Sequence, residues 1–304
     1  MFPVEQYYKA DSIDSACAYL AGHPDARLIA GGTDVLIRLR EGKPDFRHLV
    51  DIQSIAALQQ LTIDNQGRIT IGAGVTVSRL IRFLERHKVC TSLIEGASSL
   101  GGPQVRNMAT LGGNICNGAP SADSAAPLLT LNATLTVQSQ HATRVVPMES
   151  FYQGPGRVDL KPGELVTTIT IDAGQYRNTG SHFYKYAMRK AMDIATIGCA
   201  VTCELENSPE LVNSCELENS QRIKALRIAY TVAAPVPKRC RTAEKLAENR
   251  IADQTLVEDI AAVVLEDLSP RNSWRAAKDF REHIIRTLAR RVVTEAIVRA
   301  GGQL

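Results

Sequence analysis

Two glycine pairs set the tightest limits on how this chain can fold. In "RLIAGGTDVLIRLREG" a short apolar strand runs into Gly31-Gly32, Thr33 and Asp34 follow as cap candidates, and a brief helix ends at Gly42. A glycine pair between strand and helix lets backbone N–H groups approach an anion closely, where the helix dipole adds positive potential. The stretch "ATLGGNICNGAPSADSAA" (109–126) offers a second such place, where Thr110, Gly112, Gly113 and Asn114 carry hydroxyl, amide and backbone donors. Two such turns converging on one ligand would suit a pyrophosphate. Neither turn matches G-x-G-x-x-G, and no G-x-x-x-x-G-K-[ST] occurs. Taken singly, each turn is better read as an ordinary tight turn.

With 304 residues the chain exceeds what one core usually organises, so two domains are expected. A hydrophobic fraction of 44% against 22% charged residues suits a folded globular protein, and a net charge of +3 with no basic stripe argues against nucleic acid as a partner. The N-terminal stretch lacks a basic region followed by an apolar core, and no apolar run reaches the roughly 18 residues of a membrane span. A cytoplasmic protein with no membrane association is expected. Seven cysteines (17, 90, 116, 199, 203, 215 and 240), never spaced C-x-x-C, argue for free thiols and against a zinc or locally ligated iron–sulfur site.

Ser12 reads as the N-cap of an amphipathic helix carrying Ile13, Ala16, Cys17 and Leu20 on one face. With "HLVDI" as the next strand, residues up to about 55 form a small βαβ lobe. "RITIGAG", "ATLTVQS" and "ELVTTITI" read as strands and "TVSRLIRFLERHK" as a helix with Val77, Leu80, Ile81 and Leu84 inward, giving a second α+β lobe over 56–176. The polar segment 172–181 is the linker candidate. Beyond it, three strands ("HFYKYAM", "ATIGCAVTCELE", "RIKALRIAYTV") precede helices near 242–249, 255–268 and 275–299, which suggests a separate α+β domain over 177–304. "TCELENS" at 202 recurs as "SCELENS" at 214, an even shift that would keep side chains on the same face of a lengthened hairpin.

Asp123 could cap the helix that follows it or accept hydrogen bonds from sugar hydroxyls. The six histidines (23, 48, 87, 141, 182 and 283) read as isolated, solvated or structural residues, and no Ser–His–Asp set, HExxH pair or close carboxylate pair emerges. Residue chemistry alone reaches as far as a phosphate-bearing ligand.

"LIAGGTDVLIRLREG", "GGPQVRNMATLGGNICNGAPSADSAAPLL" and "FYKYAMRKAMDIATIG" resemble the FAD-binding subunits of bacterial xanthine dehydrogenases, within the molybdenum hydroxylase flavoproteins, and the resemblance spans essentially the whole chain. It implies an α+β architecture: a PCMH-type FAD-binding domain of two lobes (1–55 and 56–176), then a CO dehydrogenase flavoprotein-type C-terminal α+β domain (177–304). By that resemblance, Arg27, Leu28, Ile29, Ala30, Gly31, Gly32, Thr33 and Asp34 wrap the FAD pyrophosphate, and Ala109, Thr110, Leu111, Gly112, Gly113 and Asn114 meet it from the second lobe. Asp123 would lie against the ribose and adenosine end, Leu165 would pack near the cofactor, and Tyr184 and Lys185 would sit beside the isoalloxazine ring. Lys185 then becomes the catalytic candidate, because an ammonium at the pyrimidine edge stabilises charge developing there. Asp193, in the following loop, would influence NAD access.

The implied work is a relay: a molybdenum-binding large subunit hydroxylates hypoxanthine or xanthine, a [2Fe-2S] small subunit carries the electrons, and this chain's FAD reduces NAD+. The molybdenum cofactor and both clusters belong to those partners, in a heterotrimer or its dimer, and no metal is expected on this chain. Two other readings stand beside it: the flavoprotein subunit of a molybdenum hydroxylase acting on an aldehyde, CO or an N-heterocycle, and a nucleotide-binding scaffold without redox chemistry.

Overall fold

The computed structural model describes residues 3–206 and 221–304. The second copy of the repeat lies outside the described residues, as does Cys215. The chain divides into two compact units: Met1–Arg86 with Leu100–Ala119 and Asn132–Ala173, and His87–Ser99 with Pro120–Leu131 and Gly174–Leu304. The second unit therefore takes in two stretches that lie upstream of residue 174 in the sequence.

In the first unit, β1 (Gln6–Lys9), β2 (Arg27–Ile29) and β3 (His48–Asp51) form a parallel sheet in the order β1-β3-β2, and α1 (Ile13–Gly22) and α2 (Val35–Arg40) make the crossovers. Ser12 caps α1 through a reciprocal bond pair with Ser15, and Ala16, Cys17 and Leu20 are buried, as their spacing requires. A five-stranded antiparallel sheet, ordered β4-β5-β10-β6-β7, is built from β4 (Leu61–Ile63), β5 (Ile69–Gly72), β6 (Thr134–Gln138), β7 (Thr143–Pro147) and β10 (Leu165–Ile171). Leu135 and Val137 alternate inward along β6, the period of a half-buried strand. Of α3 (Val77–His87), Val77, Leu80 and Leu84 are buried while Ile81 is only partly covered. Short helices α5 (Pro103–Met108), α6 (Leu111–Cys116) and α8 (Met148–Phe151) and the hairpin β8 (Tyr152–Gly154) with β9 (Arg157–Val158) complete the unit.

The second unit is organised on an antiparallel sheet ordered β11-β12-β13-β14: Thr179–Tyr186, Ile197–Glu206, Arg222–Thr231 and Lys238–Arg239. The linker expected through residue 181 ends earlier, because β11 pairs with β12 from Thr179 onward. Seven successive residues of β12, from Ile197 to Cys203, are buried. A strand hidden on both faces reads as a continuous apolar run, and the helices packed on this sheet explain it: α4 (Thr91–Ser98) and α7 (Ala125–Thr130) from upstream, with α11 (Lys278–Arg299) from the C-terminus. α11 buries Ile284, Ile285, Leu288, Val292, Val293, Ala296 and Ile297, a stripe at helical spacing. α9 (Arg241–Ala247) and α10 (Gln254–Val263) close the core. The sequence places the last three helices within a few residues of their ends but overlooks α4 and α5, which are eight and six residues long.

Among the described residues, Cys17, Cys90, Cys116, Cys199, Cys203 and Cys240 are free thiols. The histidines are not all isolated. The end of α1 and the start of β3 bring the ring centroids of His23 and His48 to 5.3 Å, with Tyr19 stacked on His23 and the His48 ring bonded to both Tyr19 and Asp25. His182 bonds Glu95.

Candidate cofactor site

In the first unit the two glycine turns meet. A Cβ on Gly31 would stand 1.7 Å from the Met108 carbonyl oxygen and 3.0 Å from the Ala109 nitrogen, so residues 108–109 press directly against residue 31 and only glycine fits there. Gly32 has φ +72°, a left-handed conformation that aims the chain from β2 into α2. The connection is reinforced by side chains: Asn117 Nδ2 donates to Asp34 Oδ1 at 3.2 Å, and Arg38 donates to Asn117 Oδ1 at 3.2 Å. Burial raises the Asp34 carboxyl pKa above its usual value, opposed by the Arg38 charge and the Asn117 bond.

The two turns nevertheless do different work. Among the described residues, the backbone N–H groups of Gly31, Gly32, Thr33, Asp34 and Val35 donate to no protein atom. Five consecutive donors without partners form a ready anion cradle. Neither Thr33 nor Asp34 caps α2 through its side chain. In the second turn the donors are spent on the fold. Leu111 N–H donates to Val75 O, Gly112 N–H to Ala73 O, Asn114 N–H to Thr110 O, and Gly113 N–H to the Thr110 hydroxyl at 3.0 Å. Gly112 packs so closely on Ala73 that a Cβ would meet it at 2.6 Å. The first turn offers the amides, and the second supplies the rigid wall behind them.

Arg27, Leu28 and Ile29 form β2 and lead into Ala30 and the cradle. Leu165, the first residue of β10, is fully buried opposite Gln138, so its side chain belongs to the core of the antiparallel sheet.

In the second unit, Asp123 does not cap α7; Ser124 holds the N-cap position. Its carboxylate instead accepts from Lys185 Nζ at 2.7 Å, in a pair whose side chains are only 7% and 10% exposed. Lys185 also donates to the Ser99 carbonyl at 3.0 Å. Asp123 Oδ1 is buried and has no partner among the described residues. Burial pushes the Asp123 carboxyl up to about 6, with the Lys185 charge opposing the rise. Tyr184, beside Lys185 on β11, points its ring outward and is 39% exposed. Asp193 folds back on its own loop, accepting from the N–H groups of Arg189 and Ile194. β11 is itself anchored by Glu95 of α4, which accepts from His182 Nδ1, the Phe183 N–H and Arg299.

Sequence reasoning passed over Asn117, Arg38 and Ser99. Asn117 lies three residues after Asn114 on a short helix, and that spacing was the available signal. Ser99 acts through its carbonyl, which no sequence pattern announces.

The whole chain has relatives of known kind. The family model described as the FAD binding domain in molybdopterin dehydrogenase matches residues 2–172, and that of the CO dehydrogenase flavoprotein C-terminal domain matches 182–296. The xanthine dehydrogenase FAD-binding subunit of Escherichia coli O157:H7 is 42% identical over 304 residues, covering 100% of both chains. The glyceraldehyde dehydrogenase medium chain of Sulfolobus acidocaldarius is 29% identical, over 97% of this chain and 99% of that one. Among solved structures, a chain of carbon monoxide dehydrogenase from Hydrogenophaga pseudoflava superposes with a TM-score of 0.88 at 27% identity, covering 98% of this chain and 99% of that one.

Proposed function

This chain belongs to the FAD-binding subunits of the xanthine dehydrogenase-type molybdenum hydroxylases, and on that premise we propose that it passes electrons from a partner's [2Fe-2S] clusters to NAD+ while a molybdenum subunit converts hypoxanthine or xanthine to urate. The observation that carries the reading is the row of five partnerless amides at 31–35, braced by Met108 and Ala109. A flavin dinucleotide brings a doubly charged pyrophosphate and several sugar hydroxyls, and the residues present fit both: the cradle donates to an anion, and the orphaned Asp123 Oδ1 is an acceptor awaiting a hydroxyl.

In this reading residues 27–34 hold the pyrophosphate, residues 109–114 wall it in, and Leu165 supports that wall from β10. Asp123 takes a sugar hydroxyl. Lys185 acts first by holding Asp123: its ammonium is already committed to a carboxylate, so it is a weaker counter-charge toward the flavin than an unpaired lysine would be. Tyr184 offers an exposed aromatic face beside it. The redox chemistry itself is the flavin's, and the protein supplies position and electrostatics. Residues 1–176 then serve as the FAD domain and 177–304 as the C-terminal domain, in a cytoplasmic heterotrimer or its dimer.

The test uses the assembled complex with xanthine as reductant. NADH should form at a rate proportional to the flavin loaded on this chain. Urate formation that consumes O2 and yields no NADH would assign a different acceptor.

A further inference from the structure

The loop between β11 and β12 is a braced body with a narrow neck. Thr196 N–H donates to Tyr186 O at 2.8 Å, and the β11–β12 ladder begins there, with Tyr186 opposite Ile197. Inside the loop, Asp193 accepts from the Arg189 and Ile194 N–H groups, and the Arg189 guanidinium donates to Met192 O at 2.8 Å. Met192 itself is left-handed, with φ +53°. A loop bonded to itself in this way is stiff within, so its direction is set where it leaves the sheet.

One side chain holds that neck from outside the loop. Arg281, in the first turn of α11 and only 2% exposed, donates through one guanidinium nitrogen to the Thr196 carbonyl and through another to Ser273 Oγ at 2.7 Å. The Tyr186 and Phe280 rings, 6.0 Å apart, tie the same neck to α11 a second time. Arg281 enters no ion pair among the described residues, and burial together with the Arg271 and Arg275 charges lowers its pKa. Its Nε and the Thr196 hydroxyl are buried without partners among the described residues. An uncompensated guanidinium is expensive to bury. It is also the side chain whose planar fork reaches two separate acceptors with fixed geometry.

We propose that Arg281 is a positioning residue for the electron acceptor: by clamping the neck at Thr196 it fixes where residues 188–194 stand, and so how well the nicotinamide dinucleotide is received. The inference rests on the function proposed above, in which this loop borders the acceptor side of the flavin. Buried as it is, Arg281 acts through the loop and not by touching the dinucleotide. A loosened clamp gives the loop freedom that binding must then remove, a cost that appears in KM and not in the step after binding.

The experiment measures NADH formation by the assembled complex at saturating xanthine and varied NAD+, for wild type, Arg281→Met, Arg281→Lys and Ser273→Ala. Arg281→Met should raise KM for NAD+ about tenfold with kcat within about twofold of wild type. The rate at which xanthine bleaches the flavin without NAD+ should not change. Arg281→Lys keeps a charged donor for the Thr196 carbonyl but lacks the fork, so its KM should fall between those of wild type and Arg281→Met. Ser273→Ala removes only the second acceptor and should raise KM about threefold; it applies the same criterion if Arg281→Met does not assemble. An arginine that merely supports the fold would lower kcat and flavin content together and leave KM where it was, and that result overturns the proposal. So does flavin bleaching slowed as much as NADH formation. A wild type whose flavin is bleached by xanthine but which forms no NADH overturns the functional reading, and this inference with it.

Discussion

Replacing Gly31 with alanine asks the most of the cradle. The new Cβ would stand 1.7 Å from the Met108 carbonyl oxygen, and since real Cβ contacts essentially never fall under 3.0 Å, the two turns must part by at least 1.3 Å. Both sides are backbone, so no side-chain rotation relieves the overlap. Overpacking of this kind costs about 1–3 kcal/mol. Residues 111–114 are locked to Ala73, Val75 and Thr110, so the displacement should fall on residues 30–34 and spoil the alignment of their amides. A loss of about 1.4–2.8 kcal/mol in binding is a 10- to 100-fold weaker Kd for FAD. The assay pairs calorimetric FAD titration with chemical unfolding of the apoprotein. Gly42→Ala is the control: residue 42 also has positive φ, at +74°, but its Cβ would meet nothing within 4 Å. It should cost about 1–2 kcal/mol of stability from backbone strain and leave FAD affinity unchanged. Wild-type affinity in Gly31→Ala would refute the reasoning that the meeting of the turns shapes the cradle.

Gly113→Val tests the second turn differently: residue 113 is exposed and its Cβ would approach only the Thr110 hydroxyl, at 2.9 Å, so a lower flavin content with an almost unchanged thermal transition would place the cofactor against this residue. Burial pushes the Asp123 carboxyl up to about 6, from the ordinary aspartate value of 3.8; the native state therefore binds the extra proton between those values, and this residue's contribution to stability should fall as pH rises through that window. Thermal midpoints of wild type measured from pH 4 to about 6.5 should decline relative to Asp123→Asn, and parallel pH profiles would contradict the assignment. Glu95→Ala removes the acceptor for His182, the Phe183 N–H and Arg299 and should lower unfolding free energy by about 2–3 kcal/mol, read by chemical denaturation.

What the sequence made legible follows from the range of the interactions. The Ser12 cap and the buried face of α1 are local, set by residues three and four apart; the structure keeps the cap and buries Ala16, Cys17 and Leu20, with Ile13 only partly covered. The first glycine turn was legible because strand, turn and helix are consecutive. The Asp123–Lys185 pair was not, since its partners are 62 residues apart and meet only after β11 has joined the sheet under α4 and α7. The His23–His48 cluster needed the end of α1 to meet the start of β3. Helices α4 and α5 escaped because six or eight residues give too little periodicity, and tertiary packing stabilises such short helices. In the second turn the backbone donors of residues 111–114 are already used by the fold: donors can be counted in a sequence, but whether the fold has used them cannot.

The measurement closest to the central claim is FAD binding by the purified apoprotein, followed as flavin absorbance retained after gel filtration and quantified against protein. One FAD per chain, lost on Gly31→Ala and kept on Gly42→Ala, is the predicted result. A wild-type chain that folds yet emerges colourless after reconstitution with excess FAD would contradict the account.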